Sequence, residues 1–129
     1  MKFIVIAILI AAIIIGGTIF LIQKSSPSSP QVPLDTVSMV DGKQIITITA
    51  KGGYSPRTSV ARADIPAILR VITRGTFDCS SALTIPSIGY KKNLPPSGTT
   101  DIDLLPQKAG TTLRGLCSMG MYTFSVDFQ

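Results

Sequence analysis

From Phe3 to Ile22 the chain reads FIVIAILIAAIIIGGTIFLI, 20 residues without a charge. A helix of that length rises about 30 Å, the thickness of a bilayer core. Lys2 precedes the run and Gln23-Lys24 follow it. The pattern predicts a single transmembrane anchor over residues 1–24. A cleaved signal peptide is the alternative. Its apolar region is normally about 7–15 residues and closes on small residues, whereas this run is longer and closes on Phe20-Leu21-Ile22. A buried core helix is the third reading. No cysteine follows closely enough to suggest a lipoprotein anchor. Lys2 and the amino terminus favour the cytoplasmic side, so the expected topology is N-terminus in. The remainder would then lie outside the cytoplasm, in a periplasm or at a cell surface, with residues 3–22 in contact with the lipid bilayer.

The pattern then changes character. Residues 25–42 are rich in Ser and Pro, and Pro27, Pro30 and Pro33 fall three apart. Such a segment favours extended conformations, forms no core, and reads as a linker. Residues 43–129 show the short period of β-strands. Gln44–Ala50 (QIITITA) is β-branched, and Tyr122, Phe124, Val126 and Phe128 alternate with polar residues. Ile102 and Leu104 alternate with Asp101 and Asp103. Further strands are predicted over Arg57–Val60, Pro66–Gly75, Ser81–Pro86 and Gly110–Cys117. Gly52-Gly53, Gly75, Pro95-Pro96, Gly98 and Gly110 punctuate them. Seven short strands and no helical period outside the anchor predict an all-β domain, a β-sandwich or small Greek-key barrel.

Composition narrows the chemistry. The chain has no His, no Trp and no Glu. A Ser-His-Asp triad, a Cys-His pair, an HExxH zinc site and a His-ligated blue copper centre are all excluded. The aspartates show no paired spacing suited to acid–base work, so no enzyme activity is expected. Residues 43–129 carry ten Lys or Arg against five Asp. Only Lys91-Lys92 are adjacent, and nucleic-acid binding needs basic clusters interleaved with aromatics. A solvated surface suited to anionic lipid or an acidic partner is expected instead, and no nucleic acid.

Sulfur remains. Cys117-Ser118-Met119-Gly120-Met121 falls between the last two predicted strands, and Cys79 lies 38 residues upstream of Cys117. Thiolates and thioethers are soft ligands that favour Cu(I) and Ag(I) over hard divalent cations. Gly120 would let the segment turn, so Cys117, Met119 and Met121 could curl around one point, with Cys79 completing the set. The bland alternative is equally physical. Two cysteines in an exported domain commonly form one disulfide. A Cys79–Cys117 bond would close a loop of about 40 residues and stabilise by roughly 3–4 kcal/mol, leaving Met119 and Met121 as packing residues.

Several segments, in order, resemble a membrane-anchored cupredoxin-like domain of the bacterial and archaeal copper-handling kind. Gly53-Tyr54-Ser55-Pro56 resembles its G-Y-x-P, and Ala67–Thr73 an early core strand. Asp78-Cys79-Ser80 resembles the loop with its upstream ligand. Ile85-Pro86-Ser87-Ile88-Gly89 with Leu94 resembles I-P-x-L-G … L, and Leu105–Gly110 its P-x-K-x-G. Leu116–Tyr122 resembles the C-x-M-G-M-Y closing loop, the most specific of these. The resemblance covers residues 52–129 and implies a Greek-key β-sandwich that binds copper among the loops at one end. Its blue-copper members use His upstream and a second His after the Cys. Here Cys79 stands at the first position, and Met119 or Met121 must replace the second His.

The resulting expectation is a membrane-tethered, extracytoplasmic protein that binds Cu(I), or Ag(I), through Cys79, Cys117, Met119 and Met121. It would sequester copper or pass it to a membrane transporter or an oxidase under assembly. The competing expectations are a cupredoxin-type electron carrier and an immunoglobulin-like interaction module pinned by a disulfide.

Overall fold

The computed structural model describes Met1, residues 4–6 and residues 36–129. The chain divides into two units, Met1–Gln31 and Val32–Gln129, and the architecture below is that of the second. Most of the predicted anchor and most of the predicted linker lie outside the described residues. Among the described residues no helix is long and apolar enough to cross a membrane.

Among the described residues ten strands form two five-stranded sheets, a β-sandwich. In the first, β2 (Lys43–Ala50) lies at the centre, and its Gln44, Ile45, Ile46, Ile48 and Ala50 are buried. On one side β2 runs parallel to β5 (Ala67–Thr73), which pairs antiparallel with β8 (Gly98–Leu104). Its other side is shared by β1 (Val37–Val40) and the two-residue β3 (Tyr54–Ser55). In the second sheet the order is β4 (Thr58–Ala61), β10 (Thr123–Phe128), β9 (Thr112–Cys117), β6 (Ala82–Ile85) and β7 (Tyr90–Asn93). The β4–β10 pair is parallel and the rest are antiparallel.

The inward faces follow the alternation of the sequence. In β10 Phe124, Val126 and Phe128 are buried, and in β8 Ile102 and Leu104, while Asp101 and Asp103 face out. Each buried aliphatic or aromatic side chain contributes roughly 1.5–3 kcal/mol of transfer free energy. The outward aspartates are paired: Arg70 holds Asp101 through two hydrogen bonds of 2.8 Å, and Lys43 lies 3.7 Å from Asp103.

One position shows how tightly the second sheet is fitted. Gly115 faces Phe124 across the β9–β10 ladder. A Cβ built there would lie 2.2 Å from the Phe124 ring, so the ring lies directly over the glycine backbone. The same ring meets Tyr54 edge-on, with centroids 5.1 Å apart, in the geometry aromatic pairs prefer.

All seven predicted strands are present, with ends shifted by a few residues. Three others, β1, β3 and β7, were not expected. β1 falls inside residues 25–42, where the pattern predicted none. β1 and β7 each show one half-buried residue followed by three exposed ones, so neither carries an alternation to detect.

Candidate metal centre

The register brings several chain turns to one end of the sandwich. β2 ends at Ala50 beside Thr73, the end of β5, and Thr73 pairs with Gly98, the start of β8. In the second sheet Cys117, the last residue of β9, pairs with Leu83 near the start of β6. The turns that follow β2, β5 and β9 therefore meet at this end.

Cys117 is wholly buried because it continues the inward face of Leu113 and Gly115. After it the chain turns sharply. The Cys117 N–H donates to the Tyr122 carbonyl at 3.0 Å, and the Gly120 N–H donates to the Cys117 carbonyl at 2.8 Å. Gly120 has φ +70°, a left-handed conformation that glycine adopts without a Cβ clash. The Ser118 N–H donates to the Ala82 carbonyl at 2.9 Å and fastens this turn to β6.

Cys79 opens a short 3-10 turn, Cys79–Ser81, immediately before β6. Asp78 caps it. One carboxylate oxygen accepts from the Ser80 N–H at 2.8 Å and from the Ser80 hydroxyl, and the other accepts from the Gly52 N–H at 2.8 Å. The Tyr54 hydroxyl donates to the Ser80 carbonyl at 3.0 Å. The Thr76 hydroxyl donates to the Ala50 carbonyl, and its N–H donates to the Pro96 carbonyl at 2.8 Å. The Cys79 segment is thus fastened to the first sheet, while Cys117 belongs to the second.

The two sulfurs meet at 2.6 Å, both as free cysteines, with Cys79 placed to donate to Cys117. Their protons are held unequally. The Cys79 thiol is pushed up to about 11, by its hydrogen bond to Cys117 first, then by burial and the negative charges of Cys117 and Asp78. At Cys117 burial favours the thiol. The hydrogen bond from Cys79 and the backbone amides of Tyr122, Met119 and Met121 outweigh it, and its pKa falls below the ordinary thiol value. Of the two sulfurs, Cys117 is therefore the one that gives up its proton more readily. The Tyr54 hydroxyl beside them is held in its protonated form by burial first, and then by the charges of Cys117, Cys79 and Asp78.

Met119 and Met121 flank Gly120 in the same turn, and their side chains are 73% and 67% exposed. Of the four sequence-predicted sulfur ligands, the structure joins Cys79 to Cys117 and leaves both methionines turned largely to solvent. Among the described residues no three His, Cys, Asp or Glu side chains gather to hold a metal ion. The Asp78–Gly52–Ser80–Tyr54 network was not singled out from the sequence. Its trace was present: Asp two residues before Ser, at the start of a turn, is a cap signature.

The fold is a two-sheet β-sandwich. Two solved structures share it: the metal-binding domain of the Cu(I)-exporting P-type ATPase CopA of Streptococcus pneumoniae D39, solved with Cu(I), and a copper binding protein solved by NMR in its apo form. The first is 23% identical, with a TM-score of 0.63, over 72% of this chain and 92% of that domain. The second is 22% identical, with a TM-score of 0.65, over 72% of this chain and 94% of the other. No family model matches the chain, and no curated protein matches it.

Proposed function

We propose that this protein binds Cu(I) as cargo, with Cys79 and Cys117 as thiolate ligands and Met119 and Met121 as thioether donors. One observation carries the reading: two free cysteine sulfurs 2.6 Å apart at the loop end of the sandwich. Three features support it. The donors are soft, which suits Cu(I) and Ag(I). Hydrogen bonds from Cys79 and from three backbone amides lower the Cys117 pKa, which favours the deprotonated form that metal binding requires. The two structural neighbours are described as a domain with Cu(I) and a copper binding protein.

Cys79 and Cys117 hold the ion, and the exposed methionines offer weaker contacts that a partner can displace. A site of this kind suits sequestration or transfer rather than catalysis. In this reading residues 3–22 tether the domain to the outer side of a membrane, where it serves a copper transporter or an oxidase under assembly. Electron transfer is disfavoured, because a type 1 centre requires two histidines beside the cysteine and the chain has no His.

The test is a Cu(I) titration of the reduced full chain in detergent against a chromophoric Cu(I) chelator. Stoichiometric competition is expected, with Cys117→Ser losing it. Failure to compete, or unchanged affinity in Cys117→Ser, overturns the reading. The same sulfur contact favours one second reading, a disulfide-pinned module without metal. It predicts no free thiols in anaerobically prepared protein, read as mass added by alkylation without prior reduction.

A further inference from the structure

Cys117 sits on a strand, fixed by its ladder and by the turn that follows. Cys79 sits on a three-residue turn between β5 and β6, where no ladder fixes it. Something else must hold its sulfur against Cys117. The backbone around Cys79 is gripped by the Tyr54 hydroxyl on the Ser80 carbonyl and by Thr76 on Ala50 and Pro96, and the Asp78 carboxylate adds a link that both closes the turn and ties it to the first sheet. The Asp78 carboxylate accepts from the Gly52 N–H on one oxygen, and from the Ser80 N–H and hydroxyl on the other. Gly52 belongs to the turn leaving β2, so one oxygen ties the Cys79 segment to the first sheet while the other closes the turn that presents Cys79. The Ser81 hydroxyl donates to the Asp78 carbonyl at 2.9 Å and closes the same turn from its far end.

We propose that Asp78 is the positioning residue of the sulfur pair: its carboxylate, bridging Gly52 and Ser80, sets the approach of Cys79 to Cys117 without itself touching the cargo. No neutral side chain of this size can do the same. Asn offers one acceptor oxygen and one donor amide, so either the Gly52 link or the Ser80 link is lost. Ala loses both. Hydrogen bonds to a charged acceptor are shorter and stronger than those to a neutral one. If that orientation holds the thiols together, its loss corresponds to about a tenfold or larger drop in their effective concentration.

This inference deepens the copper reading, and it can be tested without metal. The full chain in detergent is equilibrated with reduced and oxidised glutathione. Cys79 and Cys117 lose two protons and two electrons in forming their bond, and one oxidised glutathione becomes two reduced ones. Alkylation and mass measurement give the equilibrium. For Asp78→Ala we expect a fall of at least about tenfold relative to wild type, with Asp78→Asn falling less. Cu(I) affinity is expected to fall in the same order. A carboxylate that only stabilised the fold would lower the denaturation midpoint and leave the thiol equilibrium at its wild-type value, and that result overturns the proposal. If Asp78→Ala fails to fold, Asp78→Asn carries the measurement, because it keeps one of the two links. A wild-type chain that binds no Cu(I) but loses thiol pairing in the variants defeats the copper reading and leaves this inference standing.

Discussion

At the scale of single residues, the two kinds of sulfur occupy opposite environments. Cys117 is sealed in the core, and Met119 and Met121 stand in solvent two and four positions later. The sequence made Cys117, Met119 and Met121 visible through their compact spacing around Gly120, and Cys79 as the second cysteine, 38 residues before Cys117. Spacing could not separate buried from exposed, since that depends on where β9 ends and the turn begins. The exposure of the methionines makes their role separable from stability. Met119→Leu and Met121→Leu preserve size and remove the sulfur at positions that pack against little. Surface changes of this kind typically stay within about 0.5 kcal/mol. The denaturation midpoint of each variant is therefore expected to stay near wild type. Cu(I) affinity, read by chelator competition, is expected to fall in each, and more in the double variant. Unchanged affinity in the double variant would confine the cargo to the thiol pair. Asp78 shows the reverse case: in the sequence it stood only as the neighbour of Cys79 in the Asp78-Cys79-Ser80 loop, and the closure of the turn onto Gly52 gave it a task of its own.

Elements were legible in proportion to how deeply they are buried. β10 announced itself because Phe124, Val126 and Phe128 all point inward, and a strand with one wet face must alternate. β1 and β7 are edge strands with both faces largely wet, so nothing in their side chains repeats. Their pairing is written in backbone hydrogen bonds that every residue offers. Gly115 was equally silent, since a glycine in a strand marks a close approach without naming its partner. The structure names Phe124, and the contact can be tested. Gly115→Ala places a methyl 2.2 Å from the ring. Overpacking of this kind costs typically about 1–3 kcal/mol, expected as a lower denaturant midpoint with an unchanged slope. Adding Phe124→Leu is expected to recover part of the loss in a double-mutant cycle. On the outer face of the other sheet, Arg70 lowers the Asp101 pKa, through its hydrogen bonds first and its charge also. A carboxylate with a depressed folded pKa contributes stability that is present above its unfolded value of 3.8 and lost as pH falls through the folded value. The contribution is small because both side chains are partly exposed. Asp101→Asn is expected to be slightly less stable at neutral pH and to converge on wild type as the pH falls below the folded Asp101 pKa, measured by denaturation at each pH.

At the scale of the whole molecule, the chain between the two cysteines explains why one contact matters to the entire sandwich. It contains β6, β7, β8 and nearly all of β9. β8 belongs to the first sheet and the others to the second, so a link from Cys79 to Cys117 closes a loop that crosses between the layers and returns. Two different links can close it. A disulfide would stabilise by roughly 3–4 kcal/mol through the entropy of the unfolded chain. A bound ion would stabilise by an amount that grows with its free concentration, about 2.7 kcal/mol at a hundred times the dissociation constant. The two exclude each other, because the disulfide consumes both thiolates. Thermal melts of the full chain in detergent should therefore show two separate gains. The reduced protein is expected to melt lowest, and to rise on adding Cu(I) under anaerobic conditions in step with its concentration. The oxidised protein is expected to melt higher from the outset and to be indifferent to Cu(I). A Cu(I)-dependent rise in the oxidised protein would mean that the methionines bind without the thiols. The Cys79→Ser, Cys117→Ser variant should lose both gains together, since each depends on the same two sulfurs.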